Sequence, residues 1–429
     1  MKELQRRTTA FAVILSVGLL VSPRALAQAA GDVPAAPAVE DLVARALVRS
    51  PTVAALQARL AAARQRISPA GAPMDPMLEV MVQTIDAPWA PNRTMSMGQV
   101  SYTQPLFYPG KRGARRAAAA AEADLRGVEV GELQRRLGVE VRSVYARLYA
   151  IDREVQILRA ARELADLFQA TAASRYAAGV GEQEGMIKAQ IAASRLAERR
   201  TDLEADRAMD VAMLNRLLDR PGDTPLGPVA GLPDSVALPE GVVERAQVNA
   251  SAVAVGKAAI AAAERRLQSE RLETRPNFLV GAGLGSTFMP EAAITLRFGV
   301  ELPVFRGQRQ APAIEAARED VASANADLRA TRASVSAEAA GLLARFRRDG
   351  EQVILYREAI VPQTAVALDA ARASYLAGRG DFSTVLEDFN GWLDARVGLA
   401  RREAARYVTW SEIDALAGDP ADGRQGGAP

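Results

Sequence analysis

The residue types that carry most protein chemistry are scarce in this chain. Its 429 residues include no cysteine and no histidine. Disulfides, thiolate or imidazole metal sites and Cys-His or Ser-His nucleophiles are therefore excluded. Carboxylates remain, and a pair such as Glu182 and Glu184 could in principle act as general acid and base. Because they follow a glycine-rich turn with no predicted pocket, we expect no catalytic residue, no cofactor and no enzyme activity.

Methionine is the remaining soft ligand, and it is unevenly distributed. Half of the ten methionines fall in a short segment: Met74, Met77, Met81, Met95 and Met97. Thioethers suit Cu(I), but methionine also fills irregular apolar space. The sequence alone favours the second interpretation, and we predict no metal site.

Composition indicates long helices rather than a large compact core. Aromatic residues make up only 5% of the chain, and much of its 49% hydrophobic content is alanine, a strong helix former. The 53 basic and 51 acidic residues are spread along the chain, which is typical of solvated helix faces. We therefore expect no nucleic-acid partner.

The N-terminus has the pattern of a secretory signal peptide. Lys2, Arg6 and Arg7 precede an apolar run over 11–21, and a small-x-small cleavage site follows at 25–27. We predict that residues 1–27 are removed on export. At the other end, we predict that residues 418–429 form a disordered tail.

The rest of the chain repeats itself. Residues 46–67 align without gaps on 246–267, and "RYAAGVGEQEG" is echoed by "SYLAGRGDFST". We predict a first repeat over 28–219, a Pro/Gly-rich connector over 220–239 and a second repeat over 240–417. Each has a short helix, two strands, a long helix, a glycine turn and a return helix. The predicted helices are 41–68, 113–174, 182–219, 240–273, 311–374 and 382–417.

The long helix of the first repeat carries a heptad seam. Apolar residues step by four and three from Leu137 to Leu158, which indicates a coiled-coil-like contact. About 60 residues at about 1.5 Å each form a rod about 90 Å long. In the second repeat, Pro362 is expected to kink the corresponding helix. Each repeat is then an antiparallel helical hairpin with strands at one end and the glycine turn at its tip.

The strands have the length of membrane-crossing strands. We predict them at 76–85, 95–104, 278–287 and 293–302, and about ten residues suffice to cross the hydrocarbon layer. In "AITLRFGVEL", apolar residues alternate with Thr295, Arg297, Gly299 and Glu301. Four strands cannot close a barrel, so sister chains must supply the rest. Eight, twelve or sixteen strands would close, and a half-buried hairpin in a soluble protein is the alternative.

These features resemble the TolC family of outer-membrane efflux proteins over about 40–417. The resemblance is carried by the duplicated layout, by "QPLFYPGKRGA" and "LPVFRGQRQA" before the long helices, and by the two Tyr-x-x-Gly turns. It implies a mainly α fold with a small β part. It further implies a homotrimer whose twelve pooled strands form one outer-membrane barrel and whose helices form a periplasmic tunnel. Such a duct docks on a periplasmic adaptor protein that couples it to an inner-membrane pump.

The branch of the family is suggested by local motifs. "DPMLEVMVQTIDAPW", "MSMGQVSYTQPLFYPGKRG" and "LNRLLDRPGDTPLG" are similar to the heavy-metal-efflux branch, which implies metal cations as cargo. Some members of that branch have a lipidated N-terminal cysteine, and this chain has none. Two alternatives stay open: the exit duct of a protein-secretion (type I) system, and a soluble periplasmic coiled-coil scaffold.

The resemblance also implies functional residues at the tips. It makes five residues the adaptor-docking surface: Arg175, Tyr176, Gly179, Tyr375 and Gly378. The alternative is that the glycines, which suit positive φ, only build the turn and the tyrosines only pack under it. The family often has two acidic residues at the periplasmic gate. Here the matching positions are Thr384 and Glu387, with Asp388 beside the latter, so one carboxylate is missing; a simple exposed helix glutamate is the alternative.

Overall fold

The computed structural model describes residues 37–86, 94–229, 231–233, 238–286 and 292–418. The predicted signal peptide and all but the first residue of the predicted tail lie outside these ranges. Both therefore stay predictions.

Nine helices and four strands are found in the described residues. The helices are α1 (Val39–Arg49), α2 (Pro51–Ala70), α3 (Lys111–Ala177), α4 (Gln183–Leu217), α5 (Val242–Asn249), α6 (Ser251–Leu272), α7 (Gln310–Leu355), α8 (Val361–Leu376) and α9 (Phe382–Ala417). The strands are β1 (Met77–Asp86), β2 (Thr94–Leu106), β3 (Asn277–Ser286) and β4 (Ala292–Glu301).

The short helix predicted at the start of each repeat is two helices. The chain turns out of helical geometry at Ser50 (ψ 121°) and at the equivalent Ala250 (ψ 130°). Ser50 precedes Pro51, and a residue before proline is driven from the α region toward extended geometry. Ala250 adopts the same geometry without a following proline, so packing imposes the break in the second repeat.

Helix α3, 67 residues long, is the central rod of the protein. It contacts α2 and α6 near the strands and α4 and α9 further along. Most of its predicted seam is buried, as for Leu137, Val141 and Leu148. Towards the tip the contact passes to small residues such as Ala161 and Ala165, which let neighbouring helices approach closely.

The second long rod is interrupted by a turn that ends two residues before Pro362. Tyr356–Ile360 form a π-helical turn between α7 and α8, and the N–H of Val361 donates to the carbonyl of Tyr356, five residues back. Proline lacks an N–H and its ring clashes with the carbonyl four residues earlier, so a wider turn there relieves the clash. The sequence predicts a disturbance at this place but not its form.

All four strands form one antiparallel sheet in the order β1-β2-β3-β4. The central pair joins the two repeats, with Val100 opposite Leu284 and Tyr102 opposite Ala282. Within the chain, β1 and β4 are the two edge strands, each with one unpaired side. Among the described helices, none has a stretch long and apolar enough to span a membrane.

The two faces of the sheet differ in their chemistry. One face is apolar and exposed: Leu78, Val80, Val82, Val100, Tyr102, Leu284, Ile294, Leu296, Phe298 and Val300. The other carries polar side chains: Glu79, Gln83, Gln99, Ser101, Thr103, Thr295, Arg297 and Glu301. Alternation with period two produces this division. The larger apolar side chains are exposed, whereas a soluble sheet packs its apolar face on a core.

Candidate functional site

The two tips are built by the same helix-ending motif. After α3, the N–H of Val180 donates to the carbonyl of Arg175, and that of Gly179 to Tyr176. After α8, the N–H of Arg379 donates to the carbonyl of Ser374, and that of Gly378 to the carbonyl of Tyr375. These pairs define a Schellman motif, which needs a left-handed residue. Gly179 and Gly378 supply it, with φ of 70° and 75°.

The next glycine of the first tip is required by close approach. A Cβ on Gly181 would lie 2.9 Å from the Cβ of Arg175 and 3.0 Å from the backbone nitrogen of Tyr176. The chain therefore folds back tightly onto the last turn of α3. The repeated Gly-x-Gly spacing thus has two physical causes, positive φ at the first glycine and lack of space at the second.

Arg175 joins the two tips directly. Its Nη1 donates to the backbone carbonyl of Tyr375 at 2.8 Å. Its guanidinium carbon also lies 4.8 Å from the centroid of the Tyr375 ring. A planar cation over an aromatic face is a favourable contact. Arg175 is therefore a clamp between the repeats, a role additional to the one that the resemblance implies.

The tyrosines of the two tips have different surroundings. Tyr176 is 46% exposed, whereas Tyr375 is 9% exposed. The Tyr375 ring packs edge-on against Phe382 with centroids 5.6 Å apart. Only Tyr176 can offer its ring to a partner. Tyr375 packs under the turn, as in the alternative interpretation in which the tip tyrosines have only a packing role.

Apolar side chains around the tips were missed by the sequence analysis. Val180 is 66% exposed, Leu376 54% and Ile187 43%. Val180 follows directly on the left-handed glycine, where an apolar residue often packs back on its own helix, so its exposure was not predictable from the sequence. Together with Tyr176 they form the tip surface (Tyr176, Val180, Ile187, Leu376).

The predicted gate residues lie at the start of α9. Thr384 and Glu387 are exposed and Asp388 is half-buried. On the opposite side of the helix, Val385 and Phe389 are buried in the core. The hydrogen-bond donors of Thr384 are used within the same turn: its N–H and its hydroxyl donate to the Asp381 carboxylate at 2.8 and 3.1 Å. These bonds hold the pKa of Asp381 below its ordinary value. Asp381 therefore places a negative charge at the N-terminus of α9, where the helix dipole favours it.

A buried carboxylate fixes the helices above the tips. Glu154 of α3, with a side chain 3% exposed, accepts from Arg199 of α4 at 2.7 Å and from Arg401 of α9 at 2.8 Å. A buried charge persists when it is paired and hydrogen-bonded. Glu154 adjoins the apolar seam in sequence, so its partners on two other helices were not predictable from spacing.

A second polar cluster fixes the sheet to the rods. The fully buried Lys111 at the start of α3 donates to Asn277 of β3 at 2.9 Å. Its Nζ also lies 3.5 Å from a carboxylate oxygen of Glu273. Asn277 in turn donates to Glu301 of β4 at 2.9 Å. The orientation of the sheet relative to α3 is thereby set by charged and amide groups from both repeats.

The described residues contain no group of three or more His, Cys, Asp or Glu side chains placed to hold a metal ion. The Arg175 clamp, the buried Glu154 and Lys111 clusters, the tip surface and the two-faced sheet are the features that the described residues present. Together they describe a long helical rod that carries an amphipathic sheet at one end and two glycine turns at the other.

That architecture is the fold of TolC-like outer-membrane channels. VceC, an outer membrane protein of Vibrio cholerae, matches with a TM-score of 0.74 at 17% identity over 89% of this chain and 96% of VceC. A membrane protein from Pseudomonas aeruginosa matches with a TM-score of 0.79 at 16% identity over 93% of this chain and 94% of that one. CusC matches with a TM-score of 0.76 at 17% identity over 89% and 92%. The predicted fold class, mainly α with a small β part, is confirmed. The shared twelve-stranded barrel is not formed by the single chain and stays a prediction.

The family is indicated by the sequence as well. Residues 42–219 match the family model described as "Outer membrane efflux protein". This segment corresponds to the first repeat, from α1 to the end of α4. Among curated protein sequences, none matches significantly. The predicted resemblance is therefore supported at the level of the outer membrane efflux family, and the heavy-metal branch stays a prediction.

Proposed function

We propose that this chain is one protomer of an outer-membrane exit duct in an efflux system. The observation that carries the proposal is the two-faced sheet: an exposed apolar face, a polar face and an unpaired edge at β1 and at β4. Lipid tolerates an apolar strand face but not open edges. The edges are therefore paired by sister chains in the bacterial outer membrane, and the rods extend into the periplasm.

The same pairing suits a trimer. Three chains supply twelve strands, with β4 of one chain beside β1 of the next. In the helical layer, α3 and α6 lie between α2 and α7, so α2 and α7 occupy the corresponding edges. Exposed apolar residues on α4 and α8, such as Ile191 and Val366, are available for the same contact nearer the tips. A hollow helical tunnel continuing the barrel is the expected assembly.

The tips are proposed as the docking point for a periplasmic adaptor, which couples the duct to an inner-membrane pump. The proposal rests on the exposed tip surface and on the rigid Schellman turns with Gly179 and Gly378 that hold it. Arg175 and Tyr375 support this surface through their mutual contact. The duct itself is passive, and energy comes from the pump.

Glu387 is proposed as the gate residue, with Thr384 and Asp388 beside it. Three copies of an exposed carboxylate around the narrow end of a tunnel concentrate negative potential and favour cations. Metal cations are the proposed cargo, on the local motifs that are similar to the heavy-metal-efflux branch. A protein-secretion duct has the same chain architecture and remains the second candidate, whereas a soluble scaffold is disfavoured by ten large apolar side chains exposed on one sheet face.

The assembly is tested by extracting the protein from membranes. We expect it to require detergent, to have the mass of three chains in light scattering and to form ion-conducting pores in planar bilayers. A water-soluble monomer would refute the proposal.

The gate is tested with charge-removing variants. Glu387→Gln should weaken block of the pore by divalent cations, because the carboxylate ring is lost. Glu184→Gln, an exposed carboxylate near the other tip that is paired with Lys188, is the matched control and should leave block unchanged. Equal block in wild type and Glu387→Gln would remove the gate assignment.

A further inference from the structure

Met81 of β1 and Met97 of β2 lie on the polar face of the sheet. By register, Met81 is opposite Gln99 and Met97 is opposite Gln83. Both thioethers therefore share a face with Glu79 and Gln99 rather than with Val80 and Val100. Methionine that served as apolar filling in lipid would lie on the apolar face. The interpretation favoured by the sequence alone does not account for this placement.

A small cavity opens between these side chains. It measures about 120 Å³ and is lined by Met81, Met97, Gln83, Gln99, Ser286 and Thr295. The strand register places the cavity in the half of the sheet that is further from the helices, where Gln83 is opposite Met97 and Gly98 is opposite Ser286.

Glycines on β3 make room for the cavity wall. A Cβ on Gly283 would lie 2.8 Å from the Nε2 atom of Gln99, and one on Gly285 would lie 3.5 Å from the Gln99 Cβ. The Gln99 side chain therefore lies across the glycines, beside the two methionines. A larger residue at position 283 would have to displace the end of the Gln99 side chain, and its Cβ would also lie 3.3 Å from the Val100 carbonyl oxygen.

The lining has a distinctive ligand chemistry. It offers two thioether sulfurs, together with amide and hydroxyl oxygens, and it contains no carboxylate. Hard cations such as Mg²⁺ prefer carboxylate and water oxygens, whereas thioethers select soft ions such as Cu(I). A lining without a carboxylate does not neutralise a bound cation, so a cation held there would be bound weakly and reversibly.

We propose that Met81 and Met97 form a binding site for a soft monovalent metal cation on the polar face of the sheet. Gln99 and Gln83 orient the site and supply oxygen atoms. Binding of the ion requires only the sheet of one chain. A role of this binding in metal export rests on the proposed function of the chain as an efflux duct.

The site is tested by titrating the purified full-length protein in detergent with silver nitrate in chloride-free buffer. Ag(I) is a redox-stable soft monovalent cation. Calorimetry should show saturable binding, and the ¹³C-methyl signals of Met81 and Met97 should shift with it. The double variant Met81→Leu/Met97→Leu keeps apolar bulk and should lose the saturable binding. Zn²⁺ in excess should not compete, because thioethers are poor ligands for it.

Met209→Leu is the matched control, since Met209 is 64% exposed on α4, away from the sheet, and it should bind like wild type. The proposal is overturned if wild type shows no saturable binding, if the double variant still binds, or if the control loses binding to the same extent. Conductance of the same preparations in planar bilayers keeps the two proposals apart. Pores without silver binding refute the site alone, and silver binding without pores refutes the duct alone.

Discussion

Arg175 of the first tip and Tyr375 of the second lie 200 residues apart in sequence and are joined by a 2.8 Å hydrogen bond. The guanidinium also stacks over the tyrosine ring at 4.8 Å. The ends of the two helical hairpins are therefore held as a unit within one chain. A movement of one tip would therefore be transmitted to the other through this contact.

Removal of this clamp should loosen both tips without unfolding the rods. Arg175→Ala loses the hydrogen bond and the stacking, a combined effect of about 1 to 2 kcal/mol at a partly exposed position. Hydrogen exchange measured by mass spectrometry should become faster in peptides covering both turns. Arg379→Ala, which changes an exposed arginine of the second turn, is the control. Faster exchange at the first tip alone would contradict the clamp.

Substitution of Gly179 at the first tip should be destabilising only because of its left-handed backbone geometry. No heavy atom lies within 4 Å of a Cβ built on Gly179, but its φ is 70°. Gly179→Ala should therefore destabilise the turn by about 1 to 2 kcal/mol. Gly179→Asn should cost less, because asparagine tolerates left-handed geometry better. Exchange rates in the turn distinguish the two variants, and equal effects would argue for a steric cause instead.

Packing around the π turn should be intolerant of added volume on α9. A Cβ on Gly398 would lie 2.8 Å from the Tyr356 ring, over which Arg402 stacks at 3.9 Å. Gly398→Ala should lower the thermal unfolding midpoint in detergent, since overpacking costs about 1 to 3 kcal/mol.

Gly391 provides the matched control in the same helix. No heavy atom lies within 4 Å of a Cβ there, so Gly391→Ala should be neutral or stabilising by up to about 1 kcal/mol through helix propensity. If both variants shifted the midpoint in the same direction, contact with the π turn would not be the cause.

Protonation of Asp381 should weaken the first turn of α9. Hydrogen bonds from Thr384 depress the pKa of Asp381, so its contribution is present above the unfolded-state pKa of about 3.9 and is lost as pH falls through the folded value. Hydrogen exchange in this turn, corrected for intrinsic rates, should lose protection in acid. Asp381→Asn should abolish the pH dependence while keeping the cap.

The first turn of α4 in the same protein serves as the control for this measurement. Helix α4 begins after Glu182, whose side chain makes no capping hydrogen bond. The first turn of α4, whose only carboxylate interaction among the described residues is the exposed pair of Glu184 with Lys188, should therefore lose less protection in acid than the first turn of α9. A parallel loss in both turns would indicate general unfolding in acid rather than titration of Asp381.

Much of the fold could be predicted because its signals are local. The alternation in "AITLRFGVEL" predicts which side chains of β4 share a face, and Ile294, Leu296 and Phe298 are indeed all highly exposed. The heptad steps predict the buried seam of α3. Positive φ at Gly179 and Gly378 follows from the need to end a helix within a short turn. Each of these depends on residues close together in the chain.

The candidate site was less predictable, because it depends on contacts between distant residues. The sequence presents Tyr176 and Tyr375 in the same motif, yet one ring is exposed and the other is buried under Arg175 and against Phe382. Likewise, methionine spacing on β1 and β2 does not reveal which face the thioethers share. Strand register decides that, because a shift by one residue would move every side chain to the opposite face.

The sequence by itself determined the inventory: a chain without histidine or cysteine, built of long helices, strands of about ten residues and glycine turns repeated in order. Only the tertiary structure decided which groups meet, from the Arg175 clamp to the salt bridges of Glu154 and the cavity beside Met81. The physical reason is that periodicity and turn geometry act over a few residues. Ion pairs, ring contacts and cavities arise only when the packing of separate helices and strands brings side chains to within a few ångströms.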